Sequence, residues 1–358
     1  MSQTAPPAIN EAKLNEFLIK AIGEMGAAMN TALILIGDQL GLYKAMAGAG
    51  PLTSAELASR TGTAERYIRE WLAAQAAGGF VTYDAATDRY TLPPEQALAM
   101  ADENGPVFLP GFFQVVESCV KDIPKIIAAF RSGKGVGWHE HDECLFRGTE
   151  RFFRPNYRAH LVQEWIPALG DTEAKLKAGA RVADVGCGLG TSTILMAQAF
   201  PKSTFVGFDY HPQSIALARE AAARAGISER VKFEVARAKE YPGRDYDLVA
   251  FFDCLHDMGD PEGAARHVLG SLLPNGTWML VEPFANDRLE DNLNPIGRVF
   301  YAASTMICTP ASRAQEVGLA LGAQAGEACL RGVLSAAGFK RIRVAAQTPF
   351  NLVIEARP

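Results

Sequence analysis

The chain has 358 residues, 48% hydrophobic and 21% charged, with 35 basic against 40 acidic side chains. That composition excludes disordered, collagen-like and coiled-coil classes and supplies enough apolar material for two cored domains. A net charge of −5 argues against a protein whose main work is gripping phosphate backbones.

Residues 1–10 read as a disordered arm, with no basic and apolar pair of regions to mark a signal peptide. No run of 18 apolar residues is present, so no membrane span is expected. From Glu11 a helical pattern begins, with Leu14, Phe17, Leu18, Ile22 and Met25 on one face. A second apolar helix is expected over about 31–47, carrying Leu33, Ile34, Leu40 and Met46. Two apolar helices this early need something to pack against, and a partner subunit is one candidate.

Thr53-Ser-Ala-Glu56 is a capping box, with Leu52 and Leu57 at the positions of a hydrophobic staple. The helix stops at Thr61-Gly62. Thr63 is positioned to cap the next one, whose apolar face is Tyr67, Ile68, Trp71 and Leu72. Gly78-Gly79 ends it, and residues 80–83 and 89–92 read as a short hairpin. Helix, helix, helix, hairpin is a winged helix-turn-helix. Residues 31–95 carry five basic and seven acidic side chains, and Arg66 and Arg69 are offset by Glu65 and Glu70. A DNA reader needs a basic footprint, so this module is expected to be a scaffold or a dimerisation unit.

Residues 101–170 read as mostly helical, with a glycine-rich loop at 133–141. His139, Glu140, His141, Asp142 and Glu143 suggest metal ligands, but the spacing matches no standard site and a solvated acidic loop is expected. From Arg181 short β-branched runs alternate with amphipathic helices. Strands are expected at 181–185, 204–209, 231–235, 246–252 and 277–281, with helices near 190–199, 212–225, 261–273 and 325–337. That alternation means an α/β, doubly wound, Rossmann-like sheet. Two last strands, 340–345 and 350–356, are joined so tightly that they must pair antiparallel. The six cysteines are dispersed, with no C-x-x-C pair, which fits a reduced, cytoplasmic protein.

The sharpest signal is Asp184-Val-Gly186-Cys187-Gly188-Leu-Gly190-Thr191, a strand running into a glycine turn and then a helix. Asp184 stands at the mouth of that strand. Asp209 ends the next strand, 209 − 186 = 23 residues after the first glycine, a spacing suited to ribose hydroxyls. A dinucleotide's pyrophosphate wants a positive helix terminus, whereas an acid beside the loop favours a cationic ligand such as an ammonium. S-adenosylmethionine offers a sulfonium, an α-ammonium and a ribose.

At these residues the chain resembles the class I S-adenosylmethionine-dependent methyltransferases. Asp184 through Gly190 match the first motif and Asp209 the acidic residue after it. Asp247 through Asp260 match the strand-four stretch, and Leu272 through Glu282 the strand-five stretch. The whole chain is similar to two-domain small-molecule O-methyltransferases of the plant type, with an N-terminal winged-helix dimerisation domain. The resemblance implies cofactor contacts from Asp184, Gly186, Cys187, Gly188, Gly190, Thr191, Asp209, Tyr210, Ala238, Phe252 and Asp253, with Phe153 and Tyr157 over the methionine end. One departure is Arg237, which stands where many members carry an acid for the adenine amino group.

The resemblance also implies a catalytic group. His256, Asp257 and Asp260 match a His-Asp-x-x-Asp stretch whose histidine is the general base, and Glu282 matches the acid that orients it. Asp257 is counted with them in the catalytic site, while Asp260-Pro261 also reads as a helix start. The implied organisation is an arm and dimerisation helix (1–30), a winged helix (31–100), a helical linker (101–170) and a catalytic domain (171–358) with a lid at 284–324. The expected function is methyl transfer to a small-molecule hydroxyl by a cytoplasmic homodimer that binds neither membrane nor nucleic acid. N-, S- or C-methylation, and a regulator that senses the cofactor, stand as alternatives.

Overall fold

A computed structural model describes residues 9–358; the first eight residues of the expected arm lie outside the described residues. The chain divides into two compact units between Glu117 and Ser118. Residues 101–170, expected as a linker, are therefore shared between the units, and 118–170 fold with the sheet.

The first unit opens with α1 (Glu11–Gln39), one continuous helix where two were expected. Gly23 and Gly26 lower its propensity without breaking it, since a mid-helix glycine costs only about 1 kcal/mol. After α2 (Leu42–Met46), the capping box opens α3 (Ser54–Thr61): Thr53 Oγ1 accepts from Glu56 N and Glu56 Oε2 accepts from Thr53 N at 2.7 Å. In α4 (Glu65–Ala77) the N-cap is Ala64 and not Thr63, whose hydroxyl instead meets that of Thr61 at 2.8 Å. The hairpin β1 (Thr82–Asp84) and β2 (Arg89–Thr91) follows, then α5 (Pro94–Met100). Ile34, Leu42, Met46, Leu57, Ile68, Trp71 and Leu72 form the core, and Trp71 Nε1 donates to Leu33 O at 2.8 Å.

α4 carries its charge in closed pairs, Arg69–Glu65 and Arg66–Glu70. α1 leaves Phe17, Ile19, Ile22, Met25 and Met29 exposed. By length and composition α1 is apolar enough to cross a membrane. Its charged residues Lys13, Glu16, Lys20 and Glu24 recur every three or four positions, so they share one face, which gives its N-terminal half an amphipathic character.

In the second unit the helices α6 (Pro110–Lys121, shared with the first), α7 (Ile123–Ser132), α8 (Cys144–His160) and α9 (Thr172–Ala178) precede a seven-stranded sheet. Its strands are β3 (Arg181–Val185), β4 (Thr204–Asp209), β5 (Val231–Val235), β6 (Tyr246–Phe252), β7 (Leu272–Pro283), β8 (Arg341–Gln347) and β9 (Asn351–Arg357). The order is β5-β4-β3-β6-β7-β9-β8, with the first five parallel and β9 antiparallel to both neighbours. Helices α10 (Thr191–Ala199), α11 (Pro212–Arg224), α12 (Pro261–Ser271), α13 (Pro295–Ala303), α14 (Thr309–Arg313) and α15 (Gly326–Ala337) complete it.

Alternate residues of β6 feed two cores. Leu248 and Ala250 pack with Trp165, Met196 and Phe205, while Val249 and Phe251 pack with Trp278, Leu330 and Leu334. A strand buried on both faces reads as one apolar run, which is the sequence pattern of β6. Strand order reverses between β3 and β6, so their carboxyl ends open a crevice, the usual ligand position in such sheets.

Candidate active site

That crevice holds a cavity of about 660 Å³. Its floor is the turn between β3 and α10. Gly186 adopts φ +74°, and a Cβ there would lie 2.7 Å from Cys254 Sγ, so glycine is required on both counts. Gly186, Cys187, Gly188 and Thr191 line the cavity; Gly190 does not. Asp209, at the end of β4, accepts from Gly188 N and His211 N, both at 2.9 Å, which fixes its carboxylate against the turn. Tyr210 and Ala238 line the same side, and Phe153, Tyr157, Phe252 and Asp253 line the cavity as well.

Asp184 departs from expectation. It is fully buried beneath the turn and does not line the cavity. Its Oδ2 accepts from Ser192 Oγ and Thr193 Oγ1, both at 2.6 Å, and Oδ1 has no partner among the described residues. Burial pushes its pKa up to about 6. Asp184 therefore ties the first turn of α10 to β3.

The acid that does stand at the cavity beside α10 is Glu150, on α8. Its Oε1 accepts from Thr191 Oγ1 at 2.8 Å and lies 3.5 Å from Arg154 Nε. Residues 150, 153 and 157 fall on one helical face, the signal that would have joined Glu150 to Phe153 and Tyr157 in the sequence.

Asp253 takes a left-handed conformation, φ +51°, strain that such sites hold at about 1–3 kcal/mol. Tyr157 OH donates to its Oδ2 at 2.9 Å and Asn351 Nδ2 to its Oδ1 at 3.0 Å. Burial, with the charge of Glu282 added, raises its pKa to about 8, and burial raises that of Asp257 to about 7. Asp257 lines the cavity.

His256 and Glu282 do not line this cavity; both are buried behind it. His256 Nδ1 lies 2.5 Å from Glu282 Oε2, and Glu282 Oε1 accepts from Leu255 N at 2.8 Å. A carboxylate only accepts, so Nδ1 carries the proton, and the other ring nitrogen, Nε2, is left to the Cys308 sulfur. Burial opposes the imidazolium, but the Glu282 carboxylate and the Cys308 sulfur beside the ring outweigh it, and the pKa stands well above its ordinary value. Cys308 ends a π-helical turn, Ser304–Cys308, inside the expected lid. Sequence reasoning missed Cys308 as a neighbour of His256, because nothing local links residues 52 apart. Asp260 caps α12, its Oδ1 accepting from Gly263 N at 2.8 Å.

The glycine-rich loop covers the cavity. Trp138, His139 and Glu140 line it, whereas His141 turns away to Asp122, 2.8 Å from its Nδ1. The residues of this loop therefore diverge instead of converging on one point. Ala311, Ala314, Gln315 and Glu316, from the expected lid, line the cavity too. Arg237 and Lys239 are its cationic edge, with Lys239 paired to Glu316 and Asp260.

The donor set decides what fits. The lining carries the carboxylates of Glu140, Glu150, Asp209, Asp253, Asp257, Asp260 and Glu316. Glu150 already occupies the helix terminus where a dinucleotide's pyrophosphate would sit. An acid-lined cavity of this kind suits a ligand with positive charge and vicinal hydroxyls.

Residues 28–101 match the Rv2258c-like winged helix-turn-helix domain, and residues 176–316 match a methyltransferase domain. This is a methyltransferase domain behind a winged helix. An O-methyltransferase family protein from Burkholderia thailandensis is 18% identical, with a TM-score of 0.69 over 95% of this chain and 98% of its own. Human N-acetylserotonin methyltransferase, solved in complex with S-adenosylmethionine, is 16% identical with a TM-score of 0.70 over 99% of both chains. At such identities the likeness is one of fold. The 27-O-demethylrifamycin SV methyltransferase of Amycolatopsis mediterranei is 35% identical over 107 residues, 29% of this chain and 39% of that relative. The match thus spans well under two thirds of the relative's length.

Proposed function

We propose that this methyltransferase transfers a methyl group from S-adenosylmethionine to a hydroxyl of a small molecule, with His256 as general base. The observation that carries the reading is the acid-lined cavity at the glycine turn, with Asp209 fixed by Gly188 N. In this reading the Asp209 carboxylate accepts from the ribose hydroxyls. The backbone of Gly186 to Gly188 bears on the cofactor, Tyr210 and Ala238 flank the adenine, and Phe153 and Tyr157 cover the methionine end. When bound, S-adenosylmethionine supplies a methyl group made electrophilic by its sulfonium.

The chain's own residues supply alignment and proton removal. Glu282 holds the His256 ring through Nδ1, which leaves Nε2 to accept the acceptor's hydroxyl proton. Because His256 is buried against Cys308, the turn Ser304–Cys308 must yield for an acceptor to reach Nε2. Residues 284–324 are read as the lid that does so. The exposed apolar face of α1 supports a homodimer formed through the N-terminal half, and six free cysteines support a reducing, cytoplasmic setting.

The test is transfer of isotope-labelled methyl groups from S-adenosylmethionine to a panel of phenols, hydroxy acids, thiols and amines. The proposal requires labelled ethers or esters as products. Label only on nitrogen or sulfur would overturn the hydroxyl reading and leave the cofactor reading standing.

A further inference from the structure

We infer that Glu150 is the residue that receives the cofactor's α-ammonium, in place of the motif acid Asp184. This rests on the cofactor reading above. Asp184 is out of reach: it does not line the cavity, and Ser192 and Thr193 hold its Oδ2 beneath the turn. Asp209 is held at the other flank of the turn, by Gly188 N and His211 N, and in that reading its remaining lone pairs go to the ribose hydroxyls. Asp253 is held by Tyr157 and Asn351, and burial raises its pKa to about 8, which makes it a poor anion for an ammonium.

Glu150 differs from all three. It lines the cavity, its side chain is 17% exposed, and both of its contacts, from Thr191 and Arg154, fall on Oε1. Oε2 therefore has no partner among the described residues. A carboxylate with one oxygen anchored and the other open is a ready acceptor for an ammonium, and the anchoring removes the rotamer entropy that binding would otherwise cost. Phe153 and Tyr157 share its helical face, so one element, α8, presents both the apolar cover and the charge.

Calorimetric titration of the full chain tests this with two probes, S-adenosylhomocysteine and its desamino analogue, against wild type and Glu150→Gln. The amide keeps the shape and still accepts from Thr191. The variant should lose about 10- to 100-fold in affinity for S-adenosylhomocysteine, the range for one hydrogen bond to a charged group. Its affinity for the desamino analogue should stay within about twofold of wild type, since that ligand has no ammonium to lose. Equal losses for both ligands would make Glu150 a prop for the turn and overturn the assignment, as would no loss for either. If wild type binds neither probe, the cofactor reading itself falls and takes the assignment with it.

Discussion

Asp184 and Glu150 show how a carboxylate's role follows from its surroundings. Both sit beside the start of α10, yet one is sealed under the turn and the other opens on the cavity. The identity of Asp184 was legible in the sequence, but its direction was not, because two hydroxyls eight and nine residues on turn it away. Asp209 lines the cavity, on the side its strand-end position indicated, and its variants are informative. Asp209→Ala should weaken cofactor binding by at least about tenfold, as charged hydrogen bonds contribute about 1.5–3 kcal/mol. Unchanged calorimetric affinity would remove Asp209 from the ribose site.

His256 carries a second residue-scale prediction. His256→Ala should lower the rate of transfer by about 10²–10⁴ while cofactor affinity stays near wild type. The sign of the pH dependence follows from the raised pKa. The base must be neutral, so activity should rise with pH along a limb centred above about 6.5, the ordinary value for histidine. Glu282→Gln should shift that limb downward, since removing the carboxylate's charge destabilises the imidazolium. Single-turnover rates across about pH 5–9 provide the measurement. A limb at or below the ordinary value would show that the pair seen here is not the working base.

At the scale of elements, the closure of the cavity is the main finding that sequence reading could not reach. Strand positions and the closing hairpin were legible because buried strands impose apolar runs and a short connection forbids a crossover. The glycine-rich loop offered only composition. The structure shows why it is glycine-rich. Val136 N donates to Pro310 O at 3.0 Å, and a Cβ on Gly135 would lie 2.0 Å from Ala314 N and 2.1 Å from Pro310 O. The loop can lie on α14 only without a side chain there. Gly135→Ala should cost the closed arrangement about 1–3 kcal/mol. Stopped-flow measurement should then show cofactor leaving about tenfold faster or more. An unchanged dissociation rate would mean that this contact does not govern exit.

For the whole molecule, the two units invite separate tests. The apolar stripe of α1 was visible as periodicity, and the structure leaves it exposed. Replacing Phe17, Ile22 and Met25 by serine should convert a sedimenting dimer to monomer; a persistent dimer would put the interface elsewhere. The second unit has a distinctive charge problem. Burial holds Asp184, Asp257 and Asp253 at about 6, 7 and 8, all above their unfolded value near 3.8. The folded state thus binds more protons than the unfolded one over that interval, so stability falls as pH rises from about 5 to 9. Thermal unfolding of the ligand-free protein should show this unit melting lower at pH 9 than at pH 6, and S-adenosylmethionine should offset the part of the loss that comes from Asp253 and Asp257, which line the cavity. Stability that climbs across that range would contradict the picture of an acid-lined cavity waiting for a cation.

The most direct test is a calorimetric titration of the intact chain with S-adenosylmethionine and, separately, with NAD. The acidic lining and the carboxylate of Glu150 at the start of α10 predict one S-adenosylmethionine bound per chain and no measurable heat from NAD. Saturable NAD binding, or a chain that takes up no S-adenosylmethionine, would contradict it.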